Sequence, residues 1–183
     1  MSRTLLITGA STGIGQACAL AFDREGWTVF AAVRREEDGR ALAARASSRL
    51  AWLLLDVTNH AQISTARDTI DAACGDRGLD ALVNNAGVAI AAPVEFVPVL
   101  ELRHQFDVNV FGLVDVTQTF IPLLRKAKGR IINIGSIAGR ITTPLMSPYC
   151  ASKHAVEAIS DANISVSDSE PNSSAGESTF ANR

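Results

Sequence analysis

The feature that most constrains the fold is a regular alternation of short apolar runs with segments of helical periodicity. The first run, Thr4–Thr8, leads into a glycine-rich turn, and Ile14–Glu25 follows with apolar residues at helical spacing before Gly26. Near-continuous apolar strands that alternate with helices indicate a parallel sheet buried on both faces. We therefore predict an α/β protein built on a doubly wound parallel sheet.

The same pattern predicts five strands with flanking helices, in a Rossmann-like arrangement. The expected strands are Thr4–Thr8, Thr28–Val33, Leu50–Leu55, Leu79–Val83 and Arg130–Ile134. After the first helix, further helices are expected near Glu36–Ala46, near Ala61–Cys74, and at Pro98–Asn109, Phe111–Lys126 and Ser147–Ser160. In such a sheet the carboxyl ends of the strands share one edge, and ligands bind in the crevice outside it.

Length and composition favour one folded domain. The chain has 183 residues, of which 47% are hydrophobic and 20% charged, as in an ordinary globular protein. We predict that this domain covers residues 1–162. Residues 163–183 are rich in Ser, Asn, Gly and acidic side chains and lack periodicity, so we predict a disordered tail there.

Charge and cysteine content argue against several classes of partner. The net charge is −2 and the 17 basic residues are scattered, so neither nucleic acid nor an anionic membrane is indicated. No apolar run reaches the roughly 20 residues that span a bilayer, and the N-terminus enters a strand without a signal peptide, so a cytoplasmic protein is expected. Cys18, Cys74 and Cys150 are too widely spaced for a disulfide framework or a zinc site, and no metal site is predicted.

The turn after the first strand, Thr8–Gly15, has the spacing G-x-x-x-G-x-G. Glycine allows a tight bend and lets backbone N–H groups approach a pyrophosphate at the positive end of the next helix. A tight turn that binds no ligand is the alternative. The candidate coenzyme-binding residues here are Gly9, Ser11, Gly13, Ile14 and Gly15.

The end of the second strand bears on coenzyme choice. An acidic residue there holds the ribose hydroxyls of NAD in many proteins, whereas an arginine accommodates the 2′-phosphate of NADP. This chain has Arg34 and Arg35 and no acid. A guanidinium can pair with a phosphate through two parallel hydrogen bonds, so Arg34 favours NADP, with NAD as the alternative if both arginines are only solvated.

Polar residues also follow the fourth and fifth strands. The run Asn84–Gly87 reads Asn-Asn-Ala-Gly, and Ser136 lies within the run Gly135–Gly139. Both stand where the ligand crevice is expected, although each alone is also ordinary turn chemistry. Asn109, late in a predicted helix, is either a polar face residue or the holder of a water through which protons reach Lys153.

Tyr149 and Lys153 stand four residues apart on one predicted helix. Residues at this spacing project from the same face, so the ammonium can lie beside the phenol and favour its ionised form. Such a phenol can donate or accept a proton near neutral pH. Together with the glycine turn, this pair predicts a nicotinamide-dependent oxidoreductase.

In this order and spacing, the motifs closely resemble those of the short-chain dehydrogenase/reductase family from about residue 4 to residue 162. The matching positions are Thr8–Gly15, Asn84–Gly87, Asn109, Ser136, Tyr149-x-x-x-Lys153 and Asp56-Val57. The resemblance implies that Tyr149 is the general acid and base, and that Ser136 orients the substrate carbonyl or hydroxyl. It also implies that Lys153 binds the nicotinamide ribose and that Asn109 completes a proton relay. The implied coenzyme contacts include Asp56 and Val57 at the adenine and Asn85, Ala86 and Gly87 along the crevice, with Tyr149 and Lys153.

The implied reaction moves a hydride between NADP(H) and a small-molecule carbonyl or secondary alcohol. The chain departs from the family pattern in two places. Thr12 stands where many NADP-using members carry a basic residue, and after Ala162 the family's sixth strand, substrate lobe and seventh strand are not recognisable. We interpret the C-terminal stretch as a truncation, an alternative end or a reading-frame change, which would expose the fifth strand as a sheet edge and impair the family's homo-oligomer contacts. The competing hypothesis is an inactive product that retains dinucleotide binding or a protein-interaction role.

Overall fold

A computed structural model describes residues 2–164, and a five-stranded parallel sheet forms its centre. The strands are β1 (Thr4–Ile7), β2 (Thr28–Val33), β3 (Leu50–Leu54), β4 (Ala81–Asn84) and β5 (Arg130–Asn133). Their order across the sheet is β3-β2-β1-β4-β5, and every neighbouring pair is parallel. The predicted Rossmann-like α/β fold is confirmed.

Within residues 2–164, six helices connect and flank the strands. They are α1 (Gly13–Arg24), α2 (Glu36–Ala43), α3 (His60–Cys74), α4 (Val99–Phe106), α5 (Gly112–Ala127) and α6 (Ser147–Ile164). Short 3₁₀ turns lie at Gly75–Arg77, Val94–Phe96 and Ile137–Gly139. The helices α1 and α2 cover one face of the sheet, while α3 and α5 cover the other.

The core lies on both sides of the sheet because side chains of a strand alternate between its faces. In β1, Leu5 and Ile7 pack with Ala19 and Leu42 on one side. Leu6 packs on the other side, in the cluster that contains the fully buried Phe120. Both faces are apolar, which explains why the strands read as continuous hydrophobic runs rather than alternating ones.

The chain is helical without a break from Val99 to Ala127, where two separate helices were predicted. A π-helical turn, Asp107–Phe111, joins α4 to α5, and within it the Gly112 N–H donates to the Asp107 carbonyl, five residues back. Such a turn inserts one residue into a helix without ending it, and it occurs often at functional sites. The buried Asn109 lies at its centre.

Other boundaries differ slightly from the predicted ones. The strand predicted to begin at Leu79 begins at Ala81, and α6 runs to Ile164 instead of Ser160. That helix therefore extends two residues into the segment predicted as a tail. The rest of that segment, residues 165–183, lies outside the described residues.

Among the described strands, β5 pairs only with β4 and so forms one edge of the sheet. Its Ile132 is 42% exposed. An apolar strand at an edge offers unpaired backbone groups, which agrees with the expectation for the fifth strand. Within residues 2–164, no helix combines the length and apolar character needed to cross a membrane.

Candidate active site

The glycine turn after β1 is close-packed and conformationally special. Gly9 has φ +65°, a left-handed conformation that favours glycine. A Cβ on Gly9 would lie 2.8 Å from the Cα of Ala86, and one on Gly15 would collide with the carbonyl oxygen of Gly9. Both positions therefore need glycine so that the turn, the start of α1 and the segment after β4 can meet.

The N-terminus of α1 is open to solvent and uncapped. Thr12 precedes the helix, but its side chain makes no capping hydrogen bond, and the first turn contains no acidic residue. Gly13 and Ile14 are exposed. The first backbone N–H groups of α1, with the positive end of the helix dipole, are thus available to an anion such as a phosphate.

Thr8 and Asn85 join the glycine turn to the segment after β4. The Thr8 hydroxyl accepts hydrogen bonds from the backbone N–H groups of Asn85, at 3.0 Å, and Ala86, at 3.1 Å. The Asn85 amide donates to the carbonyls of Thr8, at 2.9 Å, and Gly9, at 3.0 Å. The two motifs therefore form one unit at the carboxyl ends of β1 and β4.

The two arginines after β2 have different surroundings. Arg35 is bound by Asp38 through two hydrogen bonds of 2.9 and 3.0 Å. Arg34 is exposed, and no side-chain partner is found for it within residues 2–164. Within residues 2–164, Arg34 is therefore the one of these two arginines whose guanidinium makes no side-chain hydrogen bond.

Asp56 follows β3 at the same edge of the sheet. Burial acts to raise the pKa of Asp56, but hydrogen bonds from the Thr58 N–H and hydroxyl, with the positive charges of Arg34 and His104, outweigh burial and lower it. Asp56 therefore stays ionised and accepts hydrogen bonds. Val57, beside it, is buried.

Lys153 and Tyr149 meet on α6, as their spacing predicts. The Lys153 Nζ lies 5.9 Å from the centroid of the Tyr149 ring. It also donates a 2.8 Å hydrogen bond to the carbonyl of Ile134, just past β5. The lysine is only 7% exposed, and burial lowers its pKa while the charge of Glu157 acts in the opposite direction. A buried, hydrogen-bonded ammonium thus stands beside a half-buried phenol.

Ser136 lies at the start of the 3₁₀ turn between β5 and α6. Its hydroxyl accepts a 3.2 Å hydrogen bond from the Ala138 N–H, which leaves the hydroxyl hydrogen free to donate. The turn packs against α6, since a Cβ on Gly139 would lie 2.9 Å from the Lys153 carbonyl oxygen. The structure therefore brings residues 135–140, the loop of Ser136, against the helix of Tyr149 and Lys153.

The Asn109 side chain is fully engaged by the backbone and by α6. Its Oδ1 accepts from the Val88 N–H at 2.8 Å, and its Nδ2 donates to the Val88 carbonyl at 2.9 Å and to the Ser152 hydroxyl at 3.0 Å. Gln105, one turn earlier, makes two similar hydrogen bonds. Its Oε1 accepts from the Ile90 N–H at 2.6 Å, and its Nε2 donates to the Ser152 hydroxyl at 3.4 Å.

Ser152 closes this network. Its hydroxyl accepts from both amides and donates to the Tyr149 carbonyl at 2.8 Å. Ser152 and Gln105 are fully buried. The network ties the segment after β4 and the π-helical turn to α6.

Sequence reasoning missed Thr8, Gln105, Ser152 and Glu157 as parts of the site. Thr8 and Ser152 lie inside motifs that were recognised, so their position was a usable signal. Gln105 and Glu157 carried no signal, because a polar residue on a helix is usually solvated. Their contacts depend on which helix faces pack together.

The fold and this site define a Rossmann-like α/β protein with a paired tyrosine and lysine at the carboxyl edge of its sheet. The sequence model of the family described as short chain dehydrogenase matches residues 3–164. The chain belongs to the short-chain dehydrogenase family.

Individual relatives agree. The chain is 42% identical over 165 residues to an NADPH-dependent 3-dehydrocapnine reductase of Ornithobacterium rhinotracheale, a match that covers 87% of this chain and 58% of that protein. The structure of a short-chain dehydrogenase from Streptomyces avermitilis superposes with a TM-score of 0.85 at 34% identity, covering 91% of this chain and 61% of that one. A gluconate 5-dehydrogenase from Burkholderia cenocepacia, solved with NADP and tartrate, gives 0.82 at 30% identity, covering 91% and 66%. The chain spans about half the length of the curated relatives it matches.

Proposed function

We propose that this chain provides the coenzyme-binding and proton-transfer parts of an NADP(H)-dependent oxidoreductase that acts on a small carbonyl compound or secondary alcohol. The observation that carries the proposal is the buried Lys153 ammonium beside the Tyr149 ring, at the same sheet edge as the uncapped N-terminus of α1. The names of the relatives, which are reductases and dehydrogenases, support the same reaction class.

The residues present fit a dinucleotide. The close approach at Gly9 holds the turn against Ala86, and the open N–H groups of α1 that follow this turn suit a pyrophosphate. Arg34, at the end of β2, can pair with a 2′-phosphate, and Asp56 and Val57 stand at the next strand end, where an adenine would lie. When bound, the coenzyme supplies or accepts the hydride.

The chain's own groups handle orientation and the proton. The Ser136 hydroxyl accepts a hydrogen bond from the Ala138 N–H, and its own hydrogen can be donated to a substrate oxygen. Tyr149 gives a proton to that oxygen during reduction and removes one during oxidation. The Lys153 ammonium stabilises the phenolate left behind. The side chain of Asn109 is hydrogen-bonded to Val88 and Ser152. Asn109 therefore acts by fixing the position of the segment after β4 relative to α6.

Coenzyme choice is tested by quenching of tryptophan fluorescence during titration with NADPH and NADH. We expect tighter binding of NADPH, and we expect Arg34→Ala to remove most of the preference because a free guanidinium is lost. Arg35→Ala is the matched control, since Arg35 is held by Asp38 and should leave the preference in place. Equal affinity of the unmodified chain for NADPH and NADH would refute the proposed preference for NADP.

The role of Tyr149 is tested by turnover on a panel of simple ketones and secondary alcohols. Tyr149→Phe removes the proton donor, so we expect a loss of about 10²–10⁴-fold in kcat with NADPH affinity nearly unchanged. Near-normal turnover by the Phe variant would refute the assignment. NADPH binding without turnover by the unmodified chain would instead favour a dinucleotide-binding protein without catalysis.

A further inference from the structure

Glu157 lies on α6 four residues after Lys153, on the face that meets the loop of Ser136. Its side chain is 25% exposed, and its Oε2 forms a 2.9 Å ion pair with Arg140, which ends that loop. A Cβ on Gly135 would lie 2.5 Å from Glu157 Oε1, and one on Gly139 would lie 2.8 Å from its Cγ. The glutamate side chain therefore runs along the loop between the two glycines that flank Ser136.

Space, rather than backbone conformation, explains these glycines. Neither Gly135 nor Gly139 has a positive φ, so their backbones could be adopted by other residues. At Gly135, the atoms within 4 Å of an added Cβ all belong to Glu157. The Glu157 carboxylate is thus the group that an added side chain at Gly135 would meet.

Glu157 also acts on the buried ammonium of Lys153. Burial disfavours the charged lysine and lowers its pKa, and the Glu157 carboxylate opposes that effect. Arg140, the cation of the adjoining loop, is paired with Glu157. Gln105 and Asn109, which reach α6 from the helix packed against it, are uncharged.

We propose that Glu157 is a positioning residue of this site, which supports the loop of Ser136 and serves as the counter-charge of Lys153. The inference rests on the proposed function, in which Ser136, Tyr149 and Lys153 form the reaction site. Glu157 itself touches no reacting atom in this assignment.

The charge role is tested by NMR of lysine labelled with ¹³C at Cε. The chain has three lysines, Lys126, Lys128 and Lys153, so the spectrum is simple and Lys153→Met assigns the signal. We expect Glu157→Gln to lower the titration midpoint of Lys153, because the carboxylate charge that opposes the effect of burial is lost. Asp161→Asn, an exposed charge on the same helix, is the matched control and should change nothing. An unchanged Lys153 midpoint in Glu157→Gln would overturn the charge role.

The loop role is tested by compensation in urea unfolding. Gly135→Ala should lower the unfolding midpoint slightly in the native background, because the new methyl displaces the Glu157 carboxylate from its ion pair with Arg140. In a Glu157→Ala background the same change should have little effect, since the obstacle is gone. Gly139→Ala is the control that should recover only in part, because the Lys153 carbonyl is also 2.9 Å away. An equal cost of Gly135→Ala in both backgrounds would overturn the loop role.

These outcomes separate the inference from the proposed function. A chain that binds no NADPH would refute the function while the lysine titration and the Gly135 compensation could still succeed. Conversely, normal coenzyme binding with no effect of Glu157 on Lys153 or Gly135 would refute only the inference.

Discussion

Replacement of Ser152 by alanine probes the polar network that joins α6 to the π-helical turn. Ser152 is fully buried and accepts hydrogen bonds from Asn109 at 3.0 Å and from Gln105 at 3.4 Å. The orientation of each amide is fixed by a backbone N–H that donates a hydrogen bond to its oxygen. Val88 donates to Asn109, and Ile90 donates to Gln105. Neither amide can flip to find another partner, so Ser152→Ala leaves buried N–H groups without acceptors.

The expected cost follows from those contacts. A buried donor left unpaired costs about 1–3 kcal/mol, and the longer Gln105 contact contributes at the low end of that range. Alanine is the better helix former by up to about 0.5 kcal/mol, which offsets a small part. We therefore expect a net loss of about 2–3 kcal/mol, a large fraction of the roughly 5–15 kcal/mol that stabilises a typical domain.

Urea unfolding of the wild type and Ser152→Ala, followed by tryptophan fluorescence, measures this loss as a lower midpoint at constant slope. The matched control is Thr65→Ala on α3. The Thr65 hydroxyl also donates to a carbonyl of its own helix, at 2.9 Å, but it is exposed. Its loss should change the free energy of unfolding by less than about 0.5 kcal/mol. A similarly small effect of Ser152→Ala would refute the network as a source of stability.

Three further changes test the site and its supports. Gly9→Ala should weaken NADPH binding more than Gly13→Ala in a fluorescence titration: both have positive φ, but only the former meets Ala86, and equal losses would contradict the close approach. Because burial lowers the pKa of Lys153 below 10.5, the free energy of unfolding should rise as pH climbs through that lowered value toward 10.5, and Lys153→Met should lose this rise in urea unfolding. Burial acts to raise the pKa of Asp23, but its hydrogen bonds outweigh burial and lower it, so stability present above about pH 3.8 should fall on acidification through the lowered value. Asp23→Asn should flatten that acid limb, and an identical limb in both proteins would exclude the carboxylate as its source.

Much of the fold could be predicted because strands and helices follow from patterns of neighbouring residues in the sequence. Five apolar runs separated by helical periodicity define a parallel α/β sheet, and all five strands are found. The π-helical turn was predicted as a break between two helices, because its one inserted residue shifts the apolar face in the same way as a helix end does. It is stabilised in part by Asn109, whose partners Val88 and Ser152 lie 21 and 43 residues away in sequence.

The sequence by itself determined the chemical inventory of the site: the glycine turn, Arg34 rather than an acid after β2, and a tyrosine and lysine one helical turn apart. These could be recognised because each depends on spacing within one turn or one helix. Tertiary structure alone decided which groups are free and which are engaged. It packs Ser152 against Asn109 and Gln105, and it seats Glu157 against the loop of Ser136. The physical reason is that hydrogen bonds, burial and charge pairing between distant segments exist only once the helices pack, and spacing along the chain carries no record of them.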